Sequence, residues 1–179
     1  TKLVDARAKD GVFLVKTLPA HLSLLGTYGI LDQIMDRSHF ILVERCDKLA
    51  QAVSLAIALQ TGAFMSHHKT KIKPEELTFS EKDVTEALRF ISQSHLLFDE
   101  FFGFNGVVPE PILYEQMLGD PERHIGEAAA RCGLPGLQVQ PGAIRLQRQA
   151  NAINQKWREL YVAAAASRDR VQQVSQFAE

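Results

Sequence analysis

The sequence predicts an α/β protein, a parallel sheet flanked by helices and closed by a long C-terminal helix. Three observations carry that expectation. Two unbroken apolar runs, Val12-Phe13-Leu14-Val15 and Phe40-Ile41-Leu42-Val43, have the length and β-favouring composition of strands buried on both faces. After the second run the apolar period lengthens to that of a helix, with Leu49, Ala52, Val53, Ala56 and Ile57 on one side. Strand-like and helix-like segments then alternate along the chain, which is how crossover-connected parallel strands read.

The elements follow in order. Residues 1–10 are polar and read as a loop or as the end of an upstream element. Gly11 opens the first strand, which ends at Lys16. Pro19 to Asp36 reads as a helix broken near Gly26 and Gly29. The second strand ends at Glu44-Arg45, and Asp47 stands where an N-cap belongs for a helix that Gly62 should stop. Met65 to Ser80 is polar and basic, a loop. Glu81 to Phe102 is a long helix with Val84, Ala87, Leu88, Ile91, Phe98 and Phe101 on one side. A Gly- and Pro-containing turn over 105–111 precedes a short strand, Ile112-Leu113-Tyr114, and Pro121 to Cys132 is a helix with Pro in its first turn and Gly133 as its stop. Beyond Pro141 one long polar helix is expected. Its narrow dry side (Ile144, Ile153, Trp157, Leu160, Tyr161) would suit a partner or a homodimer.

Composition excludes several functions. With 179 residues, 46% of them apolar, the chain can bury one core, and neither a repeat nor a linker divides it, so residues 1–179 are read as one domain. Its 20 basic and 21 acidic side chains leave no excess to neutralise phosphates, which argues against a nucleic-acid partner. No apolar run reaches the roughly 18 residues of a membrane span. The two cysteines make no disulfide framework. A reduced, cytoplasmic protein is the expectation. Three strands make a thin sheet and the chain starts at Thr1 rather than Met, so a further strand-loop-helix is expected upstream.

The chemistry concentrates between Phe40 and Gln60. A buried strand delivers Arg45 at its carboxyl end, where open α/β sheets place ligands, and Ser54 follows nine residues later on the next helix. Arginine, a hydroxyl and the amides of a helix N-terminus can together hold a phosphate. The plainer alternative pairs Arg45 with a carboxylate such as Asp47 and leaves Ser54 merely tolerated. His67-His68, near Lys69, Lys71 and Lys73, lack the spaced partners of a metal set and read as surface loop, so no metal site is expected. Cys46 reads as a structural thiol.

The run Arg45-Cys46-Asp47-Lys48-Leu49-Ala50-Gln51-Ala52-Val53-Ser54-Leu55, followed by Ala58-Leu59-Gln60-Thr61-Gly62, resembles the bacterial sulfotransferases of the trehalose 2-sulfotransferase type. Gly11 to Lys16 is similar to that family's preceding strand, Pro111 to Leu118 to its Tyr-Glu motif, and Arg148-Gln149-Ala150-Asn151 through Trp157 to its closing helix. The resemblance implies a P-loop NTPase-like sulfotransferase fold and a donor, 3′-phosphoadenosine 5′-phosphosulfate (PAPS), whose 3′-phosphate Arg45 and Ser54 would grip. It places Tyr114 near the adenine, against a plain packing role, and Arg148 and Gln149 over the nucleotide, against a solvated helix face. Glu115 it implies as a local brace for the backbone.

The family's Pro-Arg-Ser-Gly-Ser/Thr-like phosphosulfate loop does not occur in the sequence, nor does G-x-x-x-x-G-K-[ST]. In longer members that loop and the proposed catalytic carboxylate precede the point matching Thr1, so the donor site is expected to be incomplete. Lys16-Thr17-Leu18-Pro19 is similar to a Lys-Thr-His-Leu-Pro run of animal sulfotransferases without its histidine. Lys16 is therefore a candidate to steady the sulfuryl group, and His21, otherwise a solvated residue, a candidate base. The function expected is sulfuryl transfer from PAPS to a hydroxyl of a carbohydrate or glycolipid, without metal. The alternative is a non-catalytic member of the fold used for binding or dimerisation.

Overall fold

The computed structural model describes residues 2–9, 11–64, 72, 76–137 and 152–166. Among these the elements run α1 (Lys2–Arg7), α2 (Pro19–Thr27), α3 (Leu31–Ile34), a single 3₁₀ turn (Met35–Arg37), β1 (Ile41–Glu44), α4 (Lys48–Thr61), α5 (Glu81–Phe104), β2 (Glu110–Leu113), α6 (Tyr114–Gly119), α7 (Pro121–Arg131) and α8 (Ala152–Ala166). The α/β expectation holds in a reduced form, as a mostly helical molecule with one parallel pair of strands.

The core is helical. Ala52, Val53 and Ala56 of α4 pack with Val84, Ala87 and Ile91 of α5 and Trp157 of α8, all buried. Leu49, Ile57, Leu77, Phe79, Ile153 and Tyr161 close its edges, and the Phe79 ring meets Trp157 edge-on at 5.7 Å. Both long helices begin and end where local chemistry dictates. The Asp47 carboxylate accepts from the Ala50 amide (2.9 Å) and the Ser80 hydroxyl from the Asp83 amide (3.2 Å). Gly62, at φ 70°, takes the left-handed conformation that ends α4, a position where a side chain would be strained. Trp157, Ile153 and Tyr161, three residues of the expected dry side of α8, pack in this core, while Leu160 is exposed and Ile144 lies outside the described residues.

The strands sit beside the trio. β1 pairs in parallel with β2, Ile41 opposite Glu110 and Glu44 opposite Leu113, and α4 and α5 form the crossover between them. Phe40, just before β1, stacks edge-on against Phe101 and Phe102 of α5, each at 5.6 Å. Ala128 and Ala129 of α7 are buried alongside β2.

Four expectations need correction. Residues 2–7 are helical rather than loop. Residues 13–18 form no strand. Gly11, at φ 79°, turns the chain so that Lys9 and Val12 bond to each other (2.9 Å both ways), and the run beyond has no ladder partner among the described residues, with Leu14 86% exposed. β1 is not buried on both faces, because Ile41 and Val43 are only partly covered by the described residues, 39% and 53% exposed. Tyr114 begins α6 instead of ending β2. Most of the expected basic loop over 65–80, and the start of the last helix before Ala152, lie outside the described residues.

Candidate functional site

The strand register builds the site. Glu44 pairs with Leu113, so the next residue along each chain, Arg45 and Tyr114, leaves the sheet side by side at its carboxyl end. The Arg45 guanidinium lies over the Tyr114 ring, 4.0 Å from its centroid, a cation–π contact that orients the charge without neutralising it. One residue further, the Glu115 carboxylate accepts from the Cys46 amide at 3.2 Å across 69 residues of sequence. Two residues of α6 thus hold the two-residue turn between β1 and the cap of α4. Burial works against the charged form of Glu115, but the amides of Cys46, Glu115 and Asp47 and the Cys46 thiol outweigh it and hold the carboxyl below its ordinary range.

Asp47 anchors the other side. Besides capping Ala50, its second oxygen accepts from the Arg158 guanidinium of α8. The Ala50 amide first, and then Arg158, keep the Asp47 carboxyl below its usual value against the cost of desolvation. The alternative pairing expected for Arg45 with Asp47 is therefore not the one formed; Arg158 takes that carboxylate and Arg45 takes the tyrosine face. The expected cradle of unpaired amides is likewise partly used, since the protein's own carboxylates hold the Cys46 and Ala50 amides.

Ser54 is bonded differently from five other hydroxyls of the chain. Thr27, Ser38, Thr61, Thr85 and Ser94 each donate to the carbonyl four residues back. Ser54 instead accepts, from the Asn154 amide of α8 at 3.1 Å. An accepting hydroxyl keeps its proton for another acceptor. Asp47 and Ser54 face α8 two turns apart, and Arg158 and Asn154 answer them one turn apart.

The other candidates are not drawn in. Lys16 is exposed on the irregular segment before α2 and makes no hydrogen bond or ion pair with the described residues. His21 is also exposed, and its Nδ1 accepts from the Leu18 amide at 3.0 Å, closing the first turn of α2. Arg148, Gln149, His67 and His68 lie outside the described residues. Among those described, no group of metal-binding side chains gathers, and no helix is long and apolar enough to cross a membrane. A cavity of about 150 Å³ lined by Ser38, His39, Phe40, Glu110, Arg131 and Cys132 opens at the amino ends of the strands, remote from Arg45. The Arg131–Glu110 ion pair (2.6 Å) spans it, and burial pushes the Cys132 thiol up.

Sequence reasoning missed the contributions of Asn154, Arg158 and His95. The first two had a signal, polar residues at i and i+4 on α8 with Trp157 between them. His95 had none, since it meets Glu44 and Lys48 only through folding.

A family model described as Stf0 sulphotransferase matches residues 9–164, a span that contains Lys16, Arg45, Ser54 and Tyr114. No curated protein matches the chain.

Proposed function

The chain belongs to the Stf0 sulphotransferase family, whose chemistry is sulfuryl transfer, and we propose that it takes the group from PAPS and delivers it to a hydroxyl of a carbohydrate or glycolipid. The observation that carries the donor half is Ser54, whose hydroxyl accepts from the Asn154 amide of α8 and keeps its proton for another acceptor, on the helix that follows Arg45. A phosphate monoester offers acceptor oxygens and negative charge. Arg45 and Ser54 offer donors and positive charge, so the residues fit the 3′-phosphate. When bound, the donor supplies the sulfuryl group on an anhydride ready for in-line displacement.

The chain's own residues do the rest in this reading. Tyr114 holds the Arg45 guanidinium flat, which limits the rotamer entropy lost on binding. Its contact with Arg45 supports a positioning role over the adenine contact expected from the sequence. Glu115 braces the turn through the Cys46 amide, and Asn154 orients the Ser54 hydroxyl. Lys16, exposed and cationic, is the candidate to meet charge on the sulfuryl oxygens. His21 serves α2 as a cap, with Nδ1 already accepting. The β1–α4 junction is read as the nucleotide end of a P-loop-like sulfotransferase fold. Acceptor preference rests on the sequence resemblance alone, as do a bacterial source and a cytoplasmic setting.

A second reading, a non-catalytic member of the fold, draws support from the two carboxylates that occupy the Cys46 and Ala50 amides. One titration tests the donor assignment. Adenosine 3′,5′-bisphosphate (PAP) is titrated calorimetrically into the wild-type chain, Arg45→Ala and Ser54→Ala. Each substitution is expected to weaken binding by about tenfold or more, about 1.4 kcal/mol. A folded wild-type chain that binds no PAP overturns the donor assignment.

A further inference from the structure

On the side of β1 opposite Tyr114 lies a second polar assembly that the donor reading does not use. Side chains alternate along a strand, so Glu44 points away from the face that Arg45 takes, toward α5. There its Oε1 lies 3.2 Å from His95 Nδ1, while His95 Nε2 lies 3.0 Å from Lys48 Nζ. Lys48 Nζ and Glu44 Oε1 are 3.9 Å apart, which closes a triangle. The ring is mostly buried, with 23% of its side-chain surface exposed. One imidazole on α5 thus spans from the last residue of β1 to the first residue of α4, and between those two residues lies the turn that carries Arg45.

The donor and acceptor inventory fixes the state of the ring. An ammonium group has three donors and no acceptor, so its contact with Nε2 requires a lone pair on that nitrogen. The ring proton then sits on Nδ1, where the Glu44 carboxylate receives it. This neutral Nδ1–H form satisfies both neighbours at once. A protonated ring would set an N–H against the Lys48 ammonium, and that side of the triangle would open.

We propose that His95 is a positioning residue for the Arg45 anion site, holding the β1–α4 turn in place as a neutral, Nδ1-protonated bridge from Glu44 to Lys48 and releasing Lys48 when it becomes charged. The proposal rests on the assignment of Arg45 and Ser54 to the donor phosphate. Histidine is the side chain that changes charge between about pH 5 and 8, so anion binding at this site weakens on acidification. The charges around the ring are few. Glu44 is the only charged residue of β1 and Lys48 the only one of α4. α2 brings no titratable residue except His21, which is engaged as a cap. On α5 itself Asp99 stands one turn further on and exposed. The hydrogen bond between α8 and α5 joins Tyr161 and Thr85, ten residues and about 15 Å of helix from His95; the nearer α8 residue in the shared core is the uncharged Trp157, and Arg158 is engaged by Asp47.

The test uses two substitutions in the full chain. Glutamine carries a donor and an acceptor in one side chain and does not titrate, so His95→Gln can bridge Glu44 and Lys48 at any pH. His95→Phe fills the space and bridges nothing. Three readouts apply: ¹⁵N NMR of the ring, hydrogen exchange of the Cys46 amide, and calorimetric affinity for PAP from about pH 7.5 to about pH 5.5. The expected wild-type ring carries its proton on Nδ1 at the upper pH. His95→Phe is expected to exchange the Cys46 amide about tenfold faster and to bind PAP about tenfold more weakly, while His95→Gln stays within about twofold of wild type. On acidification the wild type should lose affinity relative to His95→Gln; the nucleotide's own phosphate protonation is common to both and cancels. A proton on Nε2, equal behaviour of the Gln and Phe variants, or a flat wild-type to Gln ratio overturns the proposal. If the wild type binds no PAP at any pH, the donor assignment fails, and ring tautomer and Cys46 exchange still decide the bridge. If the Phe variant does not fold, the ring tautomer and the wild-type to Gln comparison of Cys46 exchange and affinity decide it.

Discussion

In the α4–α5–α8 trio Ala52 and Val84 are wholly buried, whereas in and before the strand pair Val43 is 53% exposed and Leu14 86%. The aliphatic side chains are of the same kinds in both regions. What differs is how position is held. The trio is held by burial, with apolar rows from three helices facing one another. The strand-end turn is held by named polar contacts: Arg45 on Tyr114, Cys46 on Glu115, Asp47 on Arg158, and Glu44 and Lys48 on His95. Burial supplies stability without fixing a particular angle, and hydrogen bonds and ring contacts fix angles with little net stability. The turn that carries Arg45 is therefore fastened by the second kind of contact to a body built from the first.

The strongest way to break this contrast is Trp157→Ala, which removes a nearly fully buried ring from the trio. The expected loss is about 3–5 kcal/mol in urea unfolding, enough to unfold a marginal chain. If it costs under about 1 kcal/mol, stability does not reside in the trio. Next comes Asp47→Ala, which joins the two regions by deleting the α4 cap and the Arg158 contact together. About 1–2 kcal/mol is expected by thermal melting, and Asp47→Asn, which can still cap, should recover most of it.

Acid supplies a gentler probe. The Asp47 and Glu115 carboxyls are held below their ordinary values of 3.8 and 4.5. Groups with depressed folded values contribute stability that is fully present above those ordinary values. It is lost as pH falls through the lower folded ones. Circular-dichroism melts between about pH 5 and pH 3 should therefore fall more steeply for wild type than for Glu115→Gln. Parallel curves would mean that Glu115 does not brace the turn. The smallest effect belongs to the exposed segment: Leu14→Ser should change stability by no more than about 0.5 kcal/mol, and a larger loss would show that the run is covered in solution.

What could be read from the sequence sorts along the same division. Asp47 as cap and Gly62 as stop were legible because both act within one turn of the residues they serve. The apolar rows of α4 and α5 were legible because period reports a face. The strand expected at Val12–Val15 was not formed, because an apolar run is a strand only when a ladder partner lies beside it, and Gly11 turns the chain back on Lys9 instead. Arg45 and Ser54 could be singled out from their spacing and family likeness. Their neighbours could not, since Tyr114 reaches Arg45 through the parallel register and Asn154 reaches Ser54 across 100 residues of sequence. Glu115 was expected to brace the backbone locally, whereas the amide it holds, that of Cys46, lies 69 residues away in sequence.

The single tryptophan of the chain lies on α8 beside Arg158 and one turn from Asn154, in a sealed setting against Phe79. The helix that buries the indole also carries the partners of Ser54 and Asp47. The molecule consequently carries its own optical gauge. Intrinsic fluorescence, with no label added, reports whether the side of the site that orients Ser54 is assembled, and a red-shifted emission would mark the moment it comes apart.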